Sequence, residues 1–278
     1  MVHFPYSLEF LHDMDPTGIS MPTTHAHPYH ELYFLLSGRR RYFIRHTIYD
    51  VVPGNLVFIP KEYLHRTVTF GNNGFDRYVV YFSEQDHEAF INAIGQPAFD
   101  GLMHSGCVHF PTGITRQLQQ TLKQLEQEMA APGMYTKAVA SHLLQDILLT
   151  ALRHGVKTEP FHGESADKIQ QVARHINEHY AEPLSLADAA RLAHMEHTYF
   201  SKRFKALTGL GFHEYLAQTR LRQAERLLRD SRLSLSEIAE CCGFSNSNYF
   251  GDVFRRWKGE SPSAYRRSIQ PDSPPELW

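Results

Sequence analysis

The first 110 residues alternate short apolar runs with turn residues, and the runs recur about every ten residues. They are ELYFLL (31–36), RYFIRH (41–46), NLVFIP (55–60) and DRYVVYF (76–82), separated by glycine, proline and asparagine. Short runs rich in aromatic and β-branched residues are typical of strands, and regularly spaced turns indicate an antiparallel β barrel or jelly roll. We therefore predict a β domain over residues 1–110.

From residue 114 the apolar period becomes helical. One stripe consists of Leu118, Leu122, Leu125 and Met129, and another of Val139, Leu143, Ile147 and Leu148, with Pro132-Gly133 between them. This pattern predicts an antiparallel helical pair over 111–154, which either dimerises or packs against its own β domain. Residues 155–165 have no periodicity and contain glycine and proline, so they are predicted to be an interdomain linker.

The remaining residues predict an all-α domain, and its clearest stretch is 234–266. Apolar residues at helical spacing form one face of a first helix, and Gly243 follows where a helix C-cap favours positive φ. A second helix then buries Tyr249, Phe250, Phe254 and Trp257. Two short helices across a glycine turn predict a helix-turn-helix, whose second helix can enter the major groove of DNA.

The same unit occurs a second time over residues 185–215. Leu186 matches Leu235 at a separation of 49 residues, and Phe200 matches Phe250 at a separation of 50. A long amphipathic helix is predicted between the copies, at roughly 211–230. About 20 helical residues span ~30 Å, close to the ~34 Å between successive major-groove faces. The repeat therefore favours a DNA-binding domain with two helix-turn-helix motifs over an ordinary helical bundle.

Residues 166–268 resemble the DNA-binding domain of the AraC/XylS family of bacterial transcription regulators. The matching residues are the run RLRQAERLL (220–228), then Ile238, Ala239, Gly243, Phe244, Tyr249, Phe250, Phe254, Gly259, Ser261, Pro262, Tyr265 and Arg266. The first copy departs more, because His194 stands where the second has Gly243. The resemblance implies a sequence-specific, effector-responsive regulator and not an enzyme. It implies a homodimer on a double-stranded DNA operator and leaves contact with RNA polymerase open.

The candidate DNA contacts lie on the side of each recognition helix away from its buried phenylalanines. They are His197, Thr198, Ser201 and Lys202 in the first copy, and Asn246, Ser247, Asn248, Gly251 and Asp252 in the second. Lys202 suits guanine or a phosphate, Asn248 suits adenine, and Asp252 accepts at best from cytosine. We therefore expect the first copy to supply the stronger base readout.

Histidines cluster in the strand-rich part of the chain. The stretch HAHPYHELYFLLSG contains His25, His27 and Glu31, and His65 follows Gly54 and Pro60 further on. These spacings resemble the two motifs of the cupin superfamily, with Glu62 where a glycine is common. The resemblance implies that His25, His27, Glu31 and His65 would be the ligands if this domain bound a metal.

Three interpretations of this cluster remain open. In the preferred one, a metal-free barrel pocket binds a small-molecule effector such as a carbohydrate through His25, His27, Glu31, Tyr33 and His65. In the second, the cluster holds a divalent metal; in the third, the histidines have no ligand role. No cofactor is expected under the preferred interpretation. The alternative function is a metal-dependent cupin enzyme with a helical DNA-binding appendage.

Composition and charge agree with a two-domain intracellular protein. The 278 residues carry a formal net charge of -2, of which 166–268 contribute +4 and the remainder -6. No apolar run approaches the ~18 residues of a membrane helix, and the first residues lack the features of a signal peptide. The three cysteines fit a reducing cytoplasm, with the Cys241-Cys242 pair expected to be buried. Residues 269–278 are predicted to form a loosely held tail.

Overall fold

The structure is a computed structural model that describes residues 8–17, 26–69 and 74–269. The chain divides into two compact units, Met1–His162 and Gly163–Trp278. The boundary between them lies within the predicted linker. The predicted tail beyond Ile269, including Trp278, lies outside the described residues.

Two antiparallel sheets form the first unit. The six-stranded sheet has the order β1-β7-β2-β5-β8-β9, and the three-stranded sheet has the order β4-β3-β6. The strands are β1 (Leu8–Asp15), β2 (His30–Ser37), β3 (Arg40–Ile44), β4 (Thr47–Val51), β5 (Leu56–Ile59), β6 (His65–Thr69), β7 (Phe75–Phe82), β8 (Cys107–His109) and β9 (Val156–Lys157). The predicted antiparallel β fold is confirmed.

Strand β2 is buried on both faces because each face packs against a different layer. Tyr33 and Leu35 belong to the apolar cluster between the two sheets, whereas Leu32 and Phe34 belong to the cluster beneath the helices. β2 pairs with β7 and β5, so it lies in the middle of its sheet. This position explains its near-continuous apolar sequence.

Helices cover the outer face of the six-stranded sheet. After a 3-10 turn at Gln85–His87 come α1 (Glu88–Ile94), α2 (Gln96–Met103), α3 (Thr112–Ala130) and α4 (Thr136–His154). The prediction of strands throughout 1–110 was therefore wrong for residues 88–103. Leu118, Leu122 and Leu125 of α3 join the cluster beneath the helices, which confirms packing on the β domain. Dimerisation through this pair stays a prediction.

One residue of the predicted α4 stripe was assigned to the wrong face. Val139 is 38% exposed, and α4 buries Ala140 and Leu144 instead. Ala140 and Leu144 are four residues apart in the sequence, and this spacing places both side chains on the same face of the helix.

Much of the predicted linker is bound to the sheets. Strand β9 pairs with β8, and the Phe161 N–H donates to the carbonyl oxygen of Ile48 over 2.7 Å. The Arg41 guanidinium lies 3.6 Å from the centroid of the Phe161 ring. The chain is therefore ordered up to Phe161, and the next helix begins only three residues later at Glu164. The linker predicted over 155–165 therefore includes a strand and a backbone hydrogen bond that join it to the first unit, and its role between the two domains stays a prediction.

The second unit is all helical, as predicted. It contains α5 (Glu164–Glu178), α6 (Leu186–Leu192), α7 (His197–Thr208), α8 (Phe212–Asp230), α9 (Leu235–Cys241), α10 (Ser247–Lys258) and α11 (Pro262–Ile269). Helices α6 and α9 begin with matching capping boxes, Ser185 with Asp188 and Ser234 with Glu237. Both copies of the helix-turn-helix and the long connecting helix α8 are confirmed.

The two turns share one backbone conformation despite different residues. Gly243 has φ 76°, and His194 at the matching position has φ 50°, in the same left-handed region. Phe244 then fills the corner of the second turn, with its ring 5.1 Å from that of Phe250. The assignment of Tyr249 to the buried side was wrong, because this residue is 51% exposed.

The cysteines are free and differ in burial. Cys107 and Cys242 are buried, whereas Cys241 is exposed, so the expectation that both members of the adjacent pair are buried was half right. Among the helices that the structure describes, none is long and apolar enough to span a bilayer.

Candidate effector site and DNA-reading surface

His27, Glu31 and His65 converge at one end of the space between the sheets. His27 precedes β2, Glu31 lies on β2, and His65 begins β6 in the opposite sheet. The Nε2 atom of His27 lies 2.9 Å from Glu31 Oε2, and the Nε2 atom of His65 lies 3.4 Å from the same oxygen. Three of the four predicted ligands are thus brought together. The fourth, His25, lies outside the described residues.

The Glu31 carboxylate is buried, with 3% of its surface exposed. Burial alone would raise its pKa, but the hydrogen bond from His27 and the proximity of His65 outweigh burial and hold the pKa well below its ordinary value. Glu31 is therefore a buried carboxylate that keeps its negative charge. Such a group attracts hydroxyl donors and cations into the space between the sheets.

Tyrosines line the same interior. The rings of Tyr33 and Tyr42 meet edge to face with centroids 4.8 Å apart, and the ring of Tyr81 lies 5.1 Å from that of His27. Burial raises the pKa of Tyr33 to about 12. Tyr42 has no exposed surface, and its hydroxyl has no hydrogen-bond partner among the described residues. Because an unsatisfied buried hydroxyl is costly, Tyr42 offers an unused polar group to a bound molecule.

Two arginines complete the polar interior. Arg77 of β7 donates to Asp13 Oδ2 from Nη2 over 2.6 Å, and its guanidinium carbon lies 5.4 Å from the Tyr33 ring centroid. Arg40 of β3 is buried, donates from Nη2 to Thr67 Oγ1 over 2.6 Å and lies over the ring of Phe75. The interior therefore combines carboxylate, imidazole, phenol and guanidinium groups inside apolar walls.

Sequence reasoning missed Tyr42, Arg40 and Arg77. The neighbouring Arg41 forms a two-point ion pair with Asp50 on the other face of β3. Strand alternation places Arg40 and Tyr42 on the same face, and this was the available signal. Which face points inward depends on the partner sheet, which the local pattern does not specify.

The first recognition helix, α7, presents its predicted contacts at its N-terminal end. His197, Thr198 and Lys202 are exposed, and Ser201 is half-buried. Glu196 caps the helix, because its side chain accepts from the backbone N–H of Tyr199 over 2.9 Å. The buried face holds Phe200 and Phe204, both without exposed surface. The predicted residues therefore lie together on the outer face.

The second recognition helix, α10, borders an open groove of about 700 Å³. Four of the five predicted contacts line it, namely Ser247, Asn248, Gly251 and Asp252, together with Arg255. The fifth, Asn246, uses its side-chain oxygen to cap the helix by accepting from the Tyr249 N–H over 2.8 Å. Asn246 is thereby less available for a base than Asn248.

Tyr199 and Tyr249 occupy equivalent positions in the two recognition helices and are 54% and 51% exposed. Neither was among the predicted contacts. Their separation of 50 residues, the same as that of the buried phenylalanines, was the signal that both belong to one helical position.

Both units match known families. Residues 8–152 match the AraC-like ligand binding domain, which is more than half of the chain, and residues 189–268 match a helix-turn-helix domain. The chain belongs to the AraC family of transcription regulators. It is therefore a DNA-binding regulator with a small-molecule-binding domain, and the alternative of a metal-dependent enzyme is overturned by these matches and by its relatives.

The relatives include the HTH-type transcriptional activator RhaR of Salmonella schwarzengrund and of Salmonella typhimurium. Each is 26% identical over 248 residues, which cover 87% of this chain and 86% of the relative. Among solved structures, the DNA-binding domain of AdpA in complex with a target DNA is 36% identical. That match covers 37% of this chain and 96% of that one, with a TM-score of 0.35. ToxT of Vibrio cholerae with bound unsaturated fatty acid is 12% identical, covering 99% and 100% of the two chains, with a TM-score of 0.41.

Proposed function

We propose that this regulator senses a small polyhydroxylated molecule, such as a carbohydrate, bound between its two sheets. The buried Tyr42 hydroxyl is the observation that carries the proposal, because it lacks a partner among the described residues. Glu31 can accept hydrogen bonds from ligand hydroxyls, and Arg77 can donate to ligand oxygens. Apolar walls with a few converging polar groups are typical of small-molecule sites.

The predicted effector residues take different parts in this proposal. His27, Glu31 and His65 form its polar end, and Tyr33 supplies a wall, since its ring is fully buried. His25 remains a candidate outside the described residues. Tyr42, Arg40 and Arg77 are added from the structure.

DNA recognition is proposed to use the outer faces of α7 and α10. Lys202 reads a base or a phosphate from α7, and Asn248 reads a base from the groove beside α10. Asp252 lines the same groove and repels phosphates, so α7 supplies the stronger readout. We further propose a cytoplasmic homodimer that contacts RNA polymerase at the promoter, as expected of a protein whose relatives are named activators.

The effector can act only through a difference in its affinity for two states of the regulator. The direct test is fluorescence anisotropy of the full chain on DNA from upstream of its own gene, with and without candidate sugars. We expect one sugar to change the DNA affinity. DNA binding that no sugar alters would contradict the carbohydrate proposal while leaving the DNA-binding function intact.

A conservative variant locates the effector site. Tyr42→Phe removes only the hydroxyl and is expected to raise the sugar concentration needed for half response by about 3–10-fold, the worth of one hydrogen bond. Tyr135→Phe is the matched control, because Tyr135 is 71% exposed near the turn between α3 and α4. An unchanged response of Tyr42→Phe would place the sugar elsewhere.

A further inference from the structure

Helix α8 joins the first helix-turn-helix motif (α6 and α7) to the second (α9 and α10) and packs against both. Near its start, the ring of Tyr215 lies 5.4 Å from that of Phe204 in the first recognition helix. Further along, Leu221 and Leu228 belong to the apolar cluster that contains Phe250 of the second. The separation of α7 and α10 therefore depends on how firmly α8 is held against each motif.

A loop beside the first motif supplies another connection. Residues 179–185 join α5 to α6, and α5 is tied to the first recognition helix because Arg203 Nε donates to Ser165 Oγ over 2.9 Å. The middle of this loop meets the turn of the second motif at Gly243, where an added Cβ would overlap the backbone of Ala181. The loop therefore contacts the second motif while it remains attached to the first.

Arg220 fastens this loop to the middle of α8. Its Nε donates to the carbonyl oxygen of Tyr180 over 2.7 Å, and its Nη2 donates to that of Glu182 over 2.9 Å. These two carbonyls flank Ala181, so one planar guanidinium holds the loop on both sides of the residue that meets the second motif. A lysine ammonium lacks this rigid fork of donors and could not hold both carbonyls in the same way.

We propose that Arg220 is a positioning residue that sets the separation and relative angle of the two recognition helices on DNA. With the loop fastened, α5, α8 and the turn of the second motif form one frame, so α7 and α10 meet DNA at a single spacing. Without this clamp the motifs are joined by α8 with a loosened loop, and they can adapt to other spacings. The inference rests on the proposed use of both recognition helices and adds how their separation is set.

The test is the dependence of DNA affinity on the spacing between the two contacted segments. The full chain is bound to duplex DNA from upstream of its own gene, and footprinting locates the segments. One base pair inserted between them rotates one segment by about 35° and shifts it by about 3.4 Å relative to the other. The wild-type chain should bind the longer duplex at least about 10-fold more weakly, because the base contacts of one recognition helix are lost.

Arg220→Gln removes the clamp and should reduce this spacing penalty to less than about 3-fold, since a protein that is no longer preorganised adapts to either duplex. Arg220→Lys should give an intermediate penalty. Arg226→Gln is the matched control, because it removes the same charge from an exposed position of α8 and should keep the wild-type penalty. Circular dichroism checks that each variant folds, and Arg220→Lys carries the comparison if Arg220→Gln does not fold.

Two results would overturn the inference. One is a folded Arg220 variant that binds both duplexes more weakly by the same factor, which is the outcome of a merely stabilising role. The other is a wild-type chain that binds both duplexes equally well. Failure of the proposed DNA reading has a different signature, because Lys202→Ala and Asn248→Ala would then leave the affinity for the natural duplex unchanged.

Discussion

Replacing Gly243 with alanine is expected to destabilise the second unit more than the same change at Gly259. Both glycines have positive φ, 76° and 83°, a conformation that costs an alanine about 1–2 kcal/mol. Their surroundings differ. A Cβ added at Gly243 would lie 2.4 Å from the carbonyl oxygen of Ala181, whereas nothing lies within 4 Å of one added at Gly259.

The contact at Gly243 is hard to relieve because Ala181 meets it with backbone atoms. Arg220 of α8 holds the loop on both sides, since its Nε donates to the Tyr180 carbonyl over 2.7 Å and its Nη2 to the Glu182 carbonyl over 2.9 Å. Overpacking of such a site typically costs about 1–3 kcal/mol. The expected loss in the free energy of unfolding is therefore about 2–5 kcal/mol for Gly243→Ala and about 1–2 kcal/mol for Gly259→Ala.

Urea unfolding of the full chain measures both losses. Trp257 lies in α10 of the second unit, and its ring packs against that of Phe254, so its fluorescence reports the unfolding of this unit. Linear extrapolation then gives the free energy for each variant. Equal losses in the two variants would refute the reasoning, because they would show that the loop around Ala181 yields without cost. The difference between the two losses measures the free-energy cost of the contact between the added Cβ and the backbone of Ala181.

Three other expected outcomes test separate parts of the molecule. Lys202→Ala should weaken operator binding by about 1–3 kcal/mol if Lys202 reads a base, and a loss that is uniform across DNA sequences would make it a phosphate contact. Phe161→Ala should speed protease cleavage before α5, since the Arg41 contact with this ring is lost, and an unchanged cleavage rate would show that β9 alone orders the segment. Burial alone would lower the pKa of His12, but its contacts with carboxylates, including Glu126, outweigh burial and raise the pKa. The ion pairs of protonated His12 therefore stabilise the fold below about pH 6.5, and this stabilisation is lost as pH rises through the raised pKa. Urea midpoints of the wild type and Glu126→Gln should therefore differ more at pH 5.5 than at pH 8.5, and an equal difference would contradict this.

The double helix-turn-helix was predictable because its signals are local and repeated. Ser185 and Ser234 cap their helices through the same capping box, and both recognition helices end at a glycine with positive φ. Such caps are encoded within four residues of chain, so tertiary packing does not override them. The exposed position of Tyr249 was missed because an aromatic residue next to the buried Phe250 was assigned to the hydrophobic core from its residue type alone.

Helices α1 and α2 were missed for the opposite reason. With 7 and 8 residues, they are too short for a helical period to stand out against short apolar runs. Their helical structure is stabilised by burial of apolar side chains against the outer face of the six-stranded sheet. Ile91 of α1 and Phe99 of α2 belong to the apolar cluster on this face. This burial occurs only once the sheet is assembled.

The candidate effector site was predictable in part. The spacing of His27, Glu31 and His65 matched known motifs, and the structure places these residues together. The partners across the interior were not predictable, because Arg40 and Arg77 lie on strands that the motif does not include. Their inward direction depends on which sheet each strand joins, and a one-residue change in register would have reversed it.

Strand β3 connects the two halves of the proposed function through its own alternation. Arg40 and Tyr42 point into the space where the effector is proposed to bind, and Arg41 between them contacts Phe161 on the other side. Only His162 and Gly163 separate Phe161 from the first residue of α5. A ligand that displaced β3 would therefore change the contact between Arg41 and Phe161, and Phe161 lies in the segment that leads into the DNA-binding unit.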